Sequence, residues 1–176
     1  MTRSGIFVGI WMFACCGAVG RAAERVDLIV GNGTIVTMDA LRNVVERGAL
    51  AIHKGKIVAL GTNDEIAARY EGRTTLDARG GLIVPGLINT HGHVPMSLFR
   101  GLADDLALME WLRGYIFPAE AKLVDAEFVR WGTRLALLEM LLGGTTTYVD
   151  MYYFEDVVAT ETAAAGMRGI LGQTMI

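Results

Sequence analysis

The chain has 176 residues, of which 52% are hydrophobic and only three are proline, so a wholly disordered protein is excluded. Its length suits one domain, or a small module joined to the beginning of a larger one. The formal net charge of −3, without a cluster of Lys and Arg, argues against a nucleic-acid-binding surface and favours a small, near-neutral substrate.

The N-terminus has the layout of a secretory signal peptide. Arg3 precedes an uncharged apolar run over residues 6–20, and a small, polar junction (RAAE) follows at residues 21–24. The run is shorter than the roughly 20 residues that a spanning helix needs, so we expect no stable membrane span. We therefore predict that residues 1–23 are removed and that the protein is exported, with a periplasmic location. If the leader is not functional, the protein is cytoplasmic.

Both cysteines lie inside this leader, at Cys15 and Cys16, so the processed chain would contain no thiol and no disulfide. A lipoprotein site at Cys15 is the alternative, because Ala14 precedes it. Met12 and Phe13 fit such a site poorly.

Residues 24–81 are predicted to form part of a small β module. Four short strands and one helix are expected, at residues 28–30, 34–37, 49–52, 56–60 and 63–70. Gly31-Asn32-Gly33 predicts a turn between the first two strands, and Gly55 suits the hairpin position that needs positive φ. Asn63 or Asp64 is expected to cap the helix. These strands are too few to close a sandwich, so further strands should come from elsewhere in the polypeptide.

Residues 82–176 alternate between strand and helix patterns. Strands are predicted at 82–89, 145–149 and 168–176, with helices at 125–142 and 155–165. Asp125 can cap the first helix, and Gly143-Gly144 ends it. Its apolar residues at three- and four-residue spacing are Phe128, Trp131, Leu135, Leu138 and Leu142. The strand over 82–89 is expected to be buried on both faces. This alternation indicates an α/β fold with parallel strands.

Two histidines follow the first of these strands. Because side chains alternate along a strand, His91 and His93 point the same way and Gly92 points to the other face. Neutral imidazoles suit zinc, and also iron or nickel. A bare H-x-H pattern also occurs by chance, and two loop histidines at the surface would look the same. The position after a buried strand and Pro85-Gly86 favours a metal site.

The segment VPGLINTHGH resembles the first barrel strand of the amidohydrolase superfamily, whose members are metal-dependent hydrolases built on a (β/α)8 barrel. VDLIVGNGTIVTMD and GALAIHKGKIVALG resemble the N-terminal β-sandwich module of that superfamily. HGHVPMSLFRGLADDLALMEWL, PAEAKL and GTTTYVDMYYF are similar to the subgroup of chlorohydrolases and of deaminases that act on S-adenosylhomocysteine and 5′-methylthioadenosine. The resemblance implies an α/β fold: the start of a barrel (82–176), preceded by part of a β-sandwich (24–81).

Site residues follow from this resemblance. His91 and His93 match the first two ligands of one divalent metal ion, zinc or iron. Glu120 matches a glutamate that holds ribose hydroxyls in nucleoside deaminases. The alternative interpretation is that Glu120 is a solvated charge on an exposed helical turn. Gln173 lies where some relatives bind substrate with arginine, which puts adenosyl specificity in doubt.

Three further residues have expected roles in or near this site. Asp150 is expected to hydrogen-bond loop backbone. Met109 and Trp111 are expected to pack in a loop that borders the pocket.

A complete barrel needs about 250 residues. We therefore expect this chain to be the N-terminal portion of a longer enzyme, inactive alone, with its catalytic residues after Ile176. The complete enzyme is expected to deaminate an adenosine-like or other amino-heterocyclic compound with a metal-activated water. Another C–N or C–Cl hydrolase of the superfamily is the first alternative, and a non-catalytic exported domain with incidental histidines is the second. The sequence leaves the oligomeric state open.

Overall fold

The structure is a computed structural model that describes residues 22–175. The chain divides into two compact units between Val84 and Pro85. The predicted leader, with both cysteines, lies outside the described residues apart from Ala22 and Ala23, so its removal stays a prediction. No helix within residues 22–175 is both long and apolar enough to span a bilayer.

The first unit is a five-stranded sheet with one short helix. Its elements are β1 (Glu24–Val36), β2 (Val44–His53), β3 (Lys56–Thr62), α1 (Asn63–Ala67), β4 (Tyr70–Asp77) and β5 (Leu82–Ile83). The strand order is β3-β2-β1-β4, and β5 also pairs with β1. β2 runs antiparallel to both β1 and β3, whereas β4 and β5 run parallel to β1. The core of this unit consists of Val26, Ala49, Ala51, Ile66 and Tyr70.

The predicted hairpin is present, whereas the predicted turn and helix cap in this unit are wrong. Lys54 and Gly55 connect β2 to β3 at positive φ. Asn32 lies within the continuous strand β1 and has a φ of 58°, and the register with β2 shifts there, so the turn signal marks a bulge. Thr62 caps α1 in a reciprocal capping box with Glu65. The Asn63 side chain instead accepts a hydrogen bond from the backbone of Asn32 in the bulge.

The second unit combines three strands with helices. Its strands are β6 (Leu87–Asn89), β7 (Thr145–Tyr152) and β8 (Arg168–Gln173); its α-helices are α2 (Leu108–Trp111), α3 (Phe117–Leu123), α4 (Ala126–Leu142) and α5 (Glu155–Ala164). Val94–Phe99 forms a 3₁₀ segment, and Leu112–Ile116 forms a π-helical turn between α2 and α3. The strand order is β6-β7-β8, and both pairs are parallel, which confirms the prediction from strand and helix alternation.

The single buried strand predicted over residues 82–89 is wrong. Leu82–Ile83 pairs with β1, whereas Leu87–Asn89 pairs with β7 in a different sheet. Pro85, which has no N–H to donate, and Gly86 interrupt the run. A Cβ on Gly86 would clash with the side chain of Thr146, so the close approach at this point favours glycine. Leu87 and Ile88 are more than half exposed, because β7 alone pairs with β6 among the described residues.

Helix α4 begins and ends as predicted but buries a different face. The Asp125 carboxylate accepts hydrogen bonds from the backbones of Glu127 and Phe128, and Gly143 is the C-cap. The buried residues are Val129, Gly132, Thr133, Ala136 and Leu137, whereas Trp131, Leu138 and Leu142 of the predicted stripe are exposed. The helix is apolar on more than one side, and the face with small residues is the one that approaches the 3₁₀ segment closely.

Candidate metal and substrate site

The structure brings the two histidine rings together in the loop after β6. β6 ends at Asn89, so His91 and His93 are loop residues rather than strand residues. The ring centroids of His91 and His93 are 5.1 Å apart, in an edge-to-face arrangement. The Asn89 side chain accepts a hydrogen bond from the backbone N–H of His91 and so stabilises the turn that follows the strand. The rings lie close enough to share a cation, and their role as metal ligands stays a prediction.

The end of β7 fixes the orientation of His93. His93 Nδ1 lies 2.6 Å from the backbone oxygen of Met151. A carbonyl oxygen only accepts, so Nδ1 carries the proton and the lone pair of Nε2 is free for a metal. Asp150 Oδ1 accepts a hydrogen bond from the backbone N–H of Val94 at 2.8 Å, which confirms the prediction that Asp150 binds loop backbone.

The histidine pair fits a divalent metal in ligand type but supplies only part of the coordination. Within residues 22–175 no group of three or more His, Cys, Asp or Glu side chains is arranged to hold a metal ion. Catalytic zinc sites usually have three protein ligands and one water. As metal ligands, His91 and His93 would therefore supply two positions of a site that needs at least one more.

A cavity of about 310 Å³ is lined by both His93 and Glu120. Its lining residues include Met96, Trp111, Ile116 and Tyr152. A mostly apolar pocket with a few polar groups is typical of small-molecule sites. Trp111 therefore borders the pocket, as expected for this loop, and its indole N–H donates to the backbone oxygen of Leu102.

Glu120 lies in the wall of this cavity rather than on an exposed turn. It is half-buried on α3, and its Oε1 accepts a hydrogen bond of 2.8 Å from the hydroxyl of Tyr152. Burial, and then the neighbouring Glu120 carboxylate, raise the pKa of Tyr152 well above its usual range, so this hydroxyl remains the donor. Sequence reasoning missed Tyr152, although it follows two residues after Asp150 at the same strand end. Substrate binding by Glu120 stays a prediction.

Gln173 lies at the end of β8, and its side chain is engaged with backbone. Its Oε1 accepts from the N–H of Glu155, and its Nε2 donates to the oxygen of Thr174. The first residues of α5 have no side-chain cap of their own, so Gln173 satisfies one of their free N–H groups. Thr174, rather than Gln173, is among the described residues that line the cavity, and a substrate-binding role for Gln173 stays a prediction.

A buried pair of carboxyl groups lies behind the histidine loop. Asp150 and Glu155 are 2% and 6% exposed. Burial, and then the charge of Asp150, raise the pKa of Glu155 to about 7, and burial also raises the pKa of Asp150. Asp150 Oδ2 and both carboxyl oxygens of Glu155 are buried without a hydrogen-bond partner among the described residues. Because two neighbouring carboxyl groups do not readily both ionise, we expect the pair to share one proton below about pH 7. Sequence reasoning did not predict this pair.

The substitution Glu155→Gln is expected to stabilise the protein above neutral pH. The pKa of the Glu155 carboxyl is 4.5 in the unfolded chain and about 7 in the folded protein. The favourable contribution of this carboxyl to the free energy of unfolding is therefore complete below pH 4.5 and is lost as the pH rises to 7. The amide does not titrate and can donate to Asp150. We expect the variant to gain roughly 2 kcal/mol over the wild type between pH 5 and pH 8.

Urea unfolding at pH 5 and pH 8 measures this difference. The exposed Glu127→Gln is the matched control and should leave the pH dependence unchanged. An equal free energy of unfolding for wild type and Glu155→Gln at both pH values would contradict the shared proton.

Comparison with known proteins identifies the family. The sequence pattern of the Amidohydrolase family matches residues 82–176, which include both histidines, the cavity and more than half of the chain. The chain belongs to the amidohydrolase family. A 5-methylthioadenosine/S-adenosylhomocysteine deaminase from Syntrophobacter fumaroxidans is 50% identical to this amidohydrolase over 87% of the chain and 35% of the relative.

Two solved amidohydrolase structures resemble the chain. An adenosine deaminase from Xanthomonas campestris with bound zinc has a TM-score of 0.82 and 40% identity, covering 84% of this chain and 34% of that one. An atrazine chlorohydrolase from Arthrobacter aurescens, complexed with zinc, has a TM-score of 0.73 and 25% identity, covering 83% and 35%. The chain thus spans about a third of the length of the curated relatives that it matches.

Proposed function

We propose that the protein carrying this chain is a metal-dependent deaminase of an adenosine-like compound. The observation that carries the proposal is that one cavity is lined by both a histidine ring, a candidate metal ligand, and the carboxylate of Glu120. A substrate in this cavity would offer a reacting carbon to the first group and hydroxyl donors to the second. The names of the relatives support deamination, and three parallel strands with intervening helices support the start of a (β/α)8 barrel.

The roles of the residues follow from their contacts. His91 and His93 would hold the metal, with Nε2 of His93 kept available because Nδ1–H donates a hydrogen bond to the backbone oxygen of Met151. A divalent metal, for which zinc is the first candidate and iron the second, supplies activation of water when it is bound. Glu120 accepts hydrogen bonds from the ribose hydroxyls, and the apolar wall with Trp111 excludes water from the bound substrate.

Hydrolysis of a C–Cl bond is the second candidate, because the atrazine chlorohydrolase shares the fold. Glu120 argues for the nucleoside, since a chlorotriazine offers no pair of hydroxyl groups to a carboxylate. A half-buried carboxylate without such donors would be left poorly satisfied by the chlorotriazine.

A substrate panel tests the proposal. The zinc-loaded protein is incubated with adenosine, 5′-methylthioadenosine, S-adenosylhomocysteine and atrazine, and ammonia and chloride are measured. We expect ammonia from at least one nucleoside and no chloride from atrazine. Release of chloride alone would favour the second candidate, and release of neither product would leave the histidines as an incidental pair.

A further inference from the structure

We propose that Tyr152 is a positioning residue whose hydroxyl holds one oxygen of Glu120, so that the other oxygen stays available to the hydroxyl groups of the substrate. The inference rests on the proposed function and adds a specificity determinant to the same site. It starts from the hydrogen bond of 2.8 Å between the Tyr152 hydroxyl and Glu120 Oε1.

The two partners differ in how firmly the fold holds them. Tyr152 is 4% exposed, and its backbone lies in β7, where it pairs with Gln173 of β8. Glu120 lies on the seven-residue helix α3, which follows directly after a π-helical turn. A glutamate side chain has three rotatable bonds and loses much conformational freedom when it is fixed. Tyr152 therefore supplies the rigid end of the contact and reduces the number of orientations that Glu120 samples before substrate binds.

The same strand end also holds the histidine side of the cavity. Met151, the residue before Tyr152, accepts a hydrogen bond from His93 Nδ1 through its backbone oxygen. The rings of His93 and Tyr152 have centroids 6.5 Å apart. Consecutive residues of β7 thus hold two groups that line the cavity, His93 through the backbone of Met151 and Glu120 through the side chain of Tyr152. Removal of the Tyr152 hydroxyl loosens the carboxylate end and leaves the histidine contact in place.

Tyr152→Phe removes only this hydroxyl. We expect the Kd and the KM for adenosine to rise roughly tenfold, as expected for loss of a hydrogen bond to a charged group, with a smaller change in kcat. The Kd for 2′,3′-dideoxyadenosine, which lacks the hydroxyl pair, should stay the same. Calorimetric titration of the metal-free protein, which does not turn over the nucleosides, gives both Kd values, and ammonia release by the zinc-loaded protein gives KM and kcat.

Tyr148→Phe is the matched control. Tyr148 lies four residues earlier on the same strand, is 0% exposed, and hydrogen-bonds Thr162 rather than any residue of the cavity. Both substitutions remove one buried phenol hydroxyl, so both should lower stability by similar amounts. Only Tyr152→Phe should change the ratio of the two Kd values.

The double variant with Glu120→Ala separates positioning from a direct role. If Tyr152 acts through Glu120, Tyr152→Phe adds no further loss of adenosine affinity when Glu120 is already alanine. Additive losses, or an equal loss for adenosine and dideoxyadenosine, would overturn the inference. If the wild type binds and deaminates adenosine and Tyr152→Phe has the same ratio of the two Kd values as the wild type, the inference is overturned and the proposed function stands. A zinc-loaded wild type that neither binds nor deaminates any nucleoside overturns the inference together with the proposed function.

Discussion

His91→Ala is expected to remove both the bound metal and the deaminase activity of the protein. His91 and His93 are the two imidazoles that the structure brings together, with ring centroids 5.1 Å apart. Loss of one ligand lowers the affinity for the metal, and activation of water depends on that metal. We expect metal content after dialysis to fall to background and ammonia release to fall more than about a hundredfold. Atomic emission and an ammonia assay on the same preparations measure the two effects.

The matched control is His53→Ala, because His53 is the last residue of β2 in the first unit and contacts Asp27. This variant should retain metal and turnover. If His91→Ala kept one metal ion per chain and wild-type ammonia release, the histidine pair would not be the metal site.

Gly132→Ala is expected to destabilise the protein strongly. A Cβ at this position would lie 2.3 Å from the backbone oxygen of Pro95 and 2.8 Å from its Cα. Alanine normally stabilises a helix by about 1 kcal/mol relative to glycine. Here the backbone fixes the position of the alanine Cβ, so no side-chain rotation can relieve its clash with the backbone of Pro95. We expect a net loss of about 3 kcal/mol, at the upper end of overpacking effects. The 3₁₀ segment Val94–Phe99 directly follows His93, so metal affinity should fall as well.

Urea unfolding measures the change in stability, and Gly114→Ala is its control. Gly114 is also helical, and beyond its chain neighbours and the backbone of its own helix a Cβ there would have no described atom within 4 Å. That substitution should be neutral or slightly stabilising. An equal response of the two variants would show that the close approach of α4 to Pro95 does not limit the residue at position 132.

The family resemblance and several local features were accessible from the sequence because their causes are local. Asp125 caps α4 because its carboxylate reaches N–H groups two and three residues away. Gly55 closes its hairpin because the turn needs positive φ. The alternation of strands and helices predicted parallel pairing of β6, β7 and β8. The proximity of His91 and His93 could be predicted because only one residue separates them in the sequence.

Contacts between residues distant along the chain decided the rest. The apolar pattern of α4 permits more than one buried face, and the approach of Gly132 to Pro95 selects the face that packs. Glu120 and Tyr152 are 32 residues apart, and Asp150 reaches the histidine loop across 56 residues, so no sequence period joins them. The sequence by itself therefore determined the cap of α4, the turn at Gly55, the strand and helix alternation and the proximity of the two histidines, since each depends on nearby backbone geometry. Tertiary structure decided which helix face is buried, where the strand over 82–89 is interrupted, and which side chains share the cavity, because packing brings those groups together.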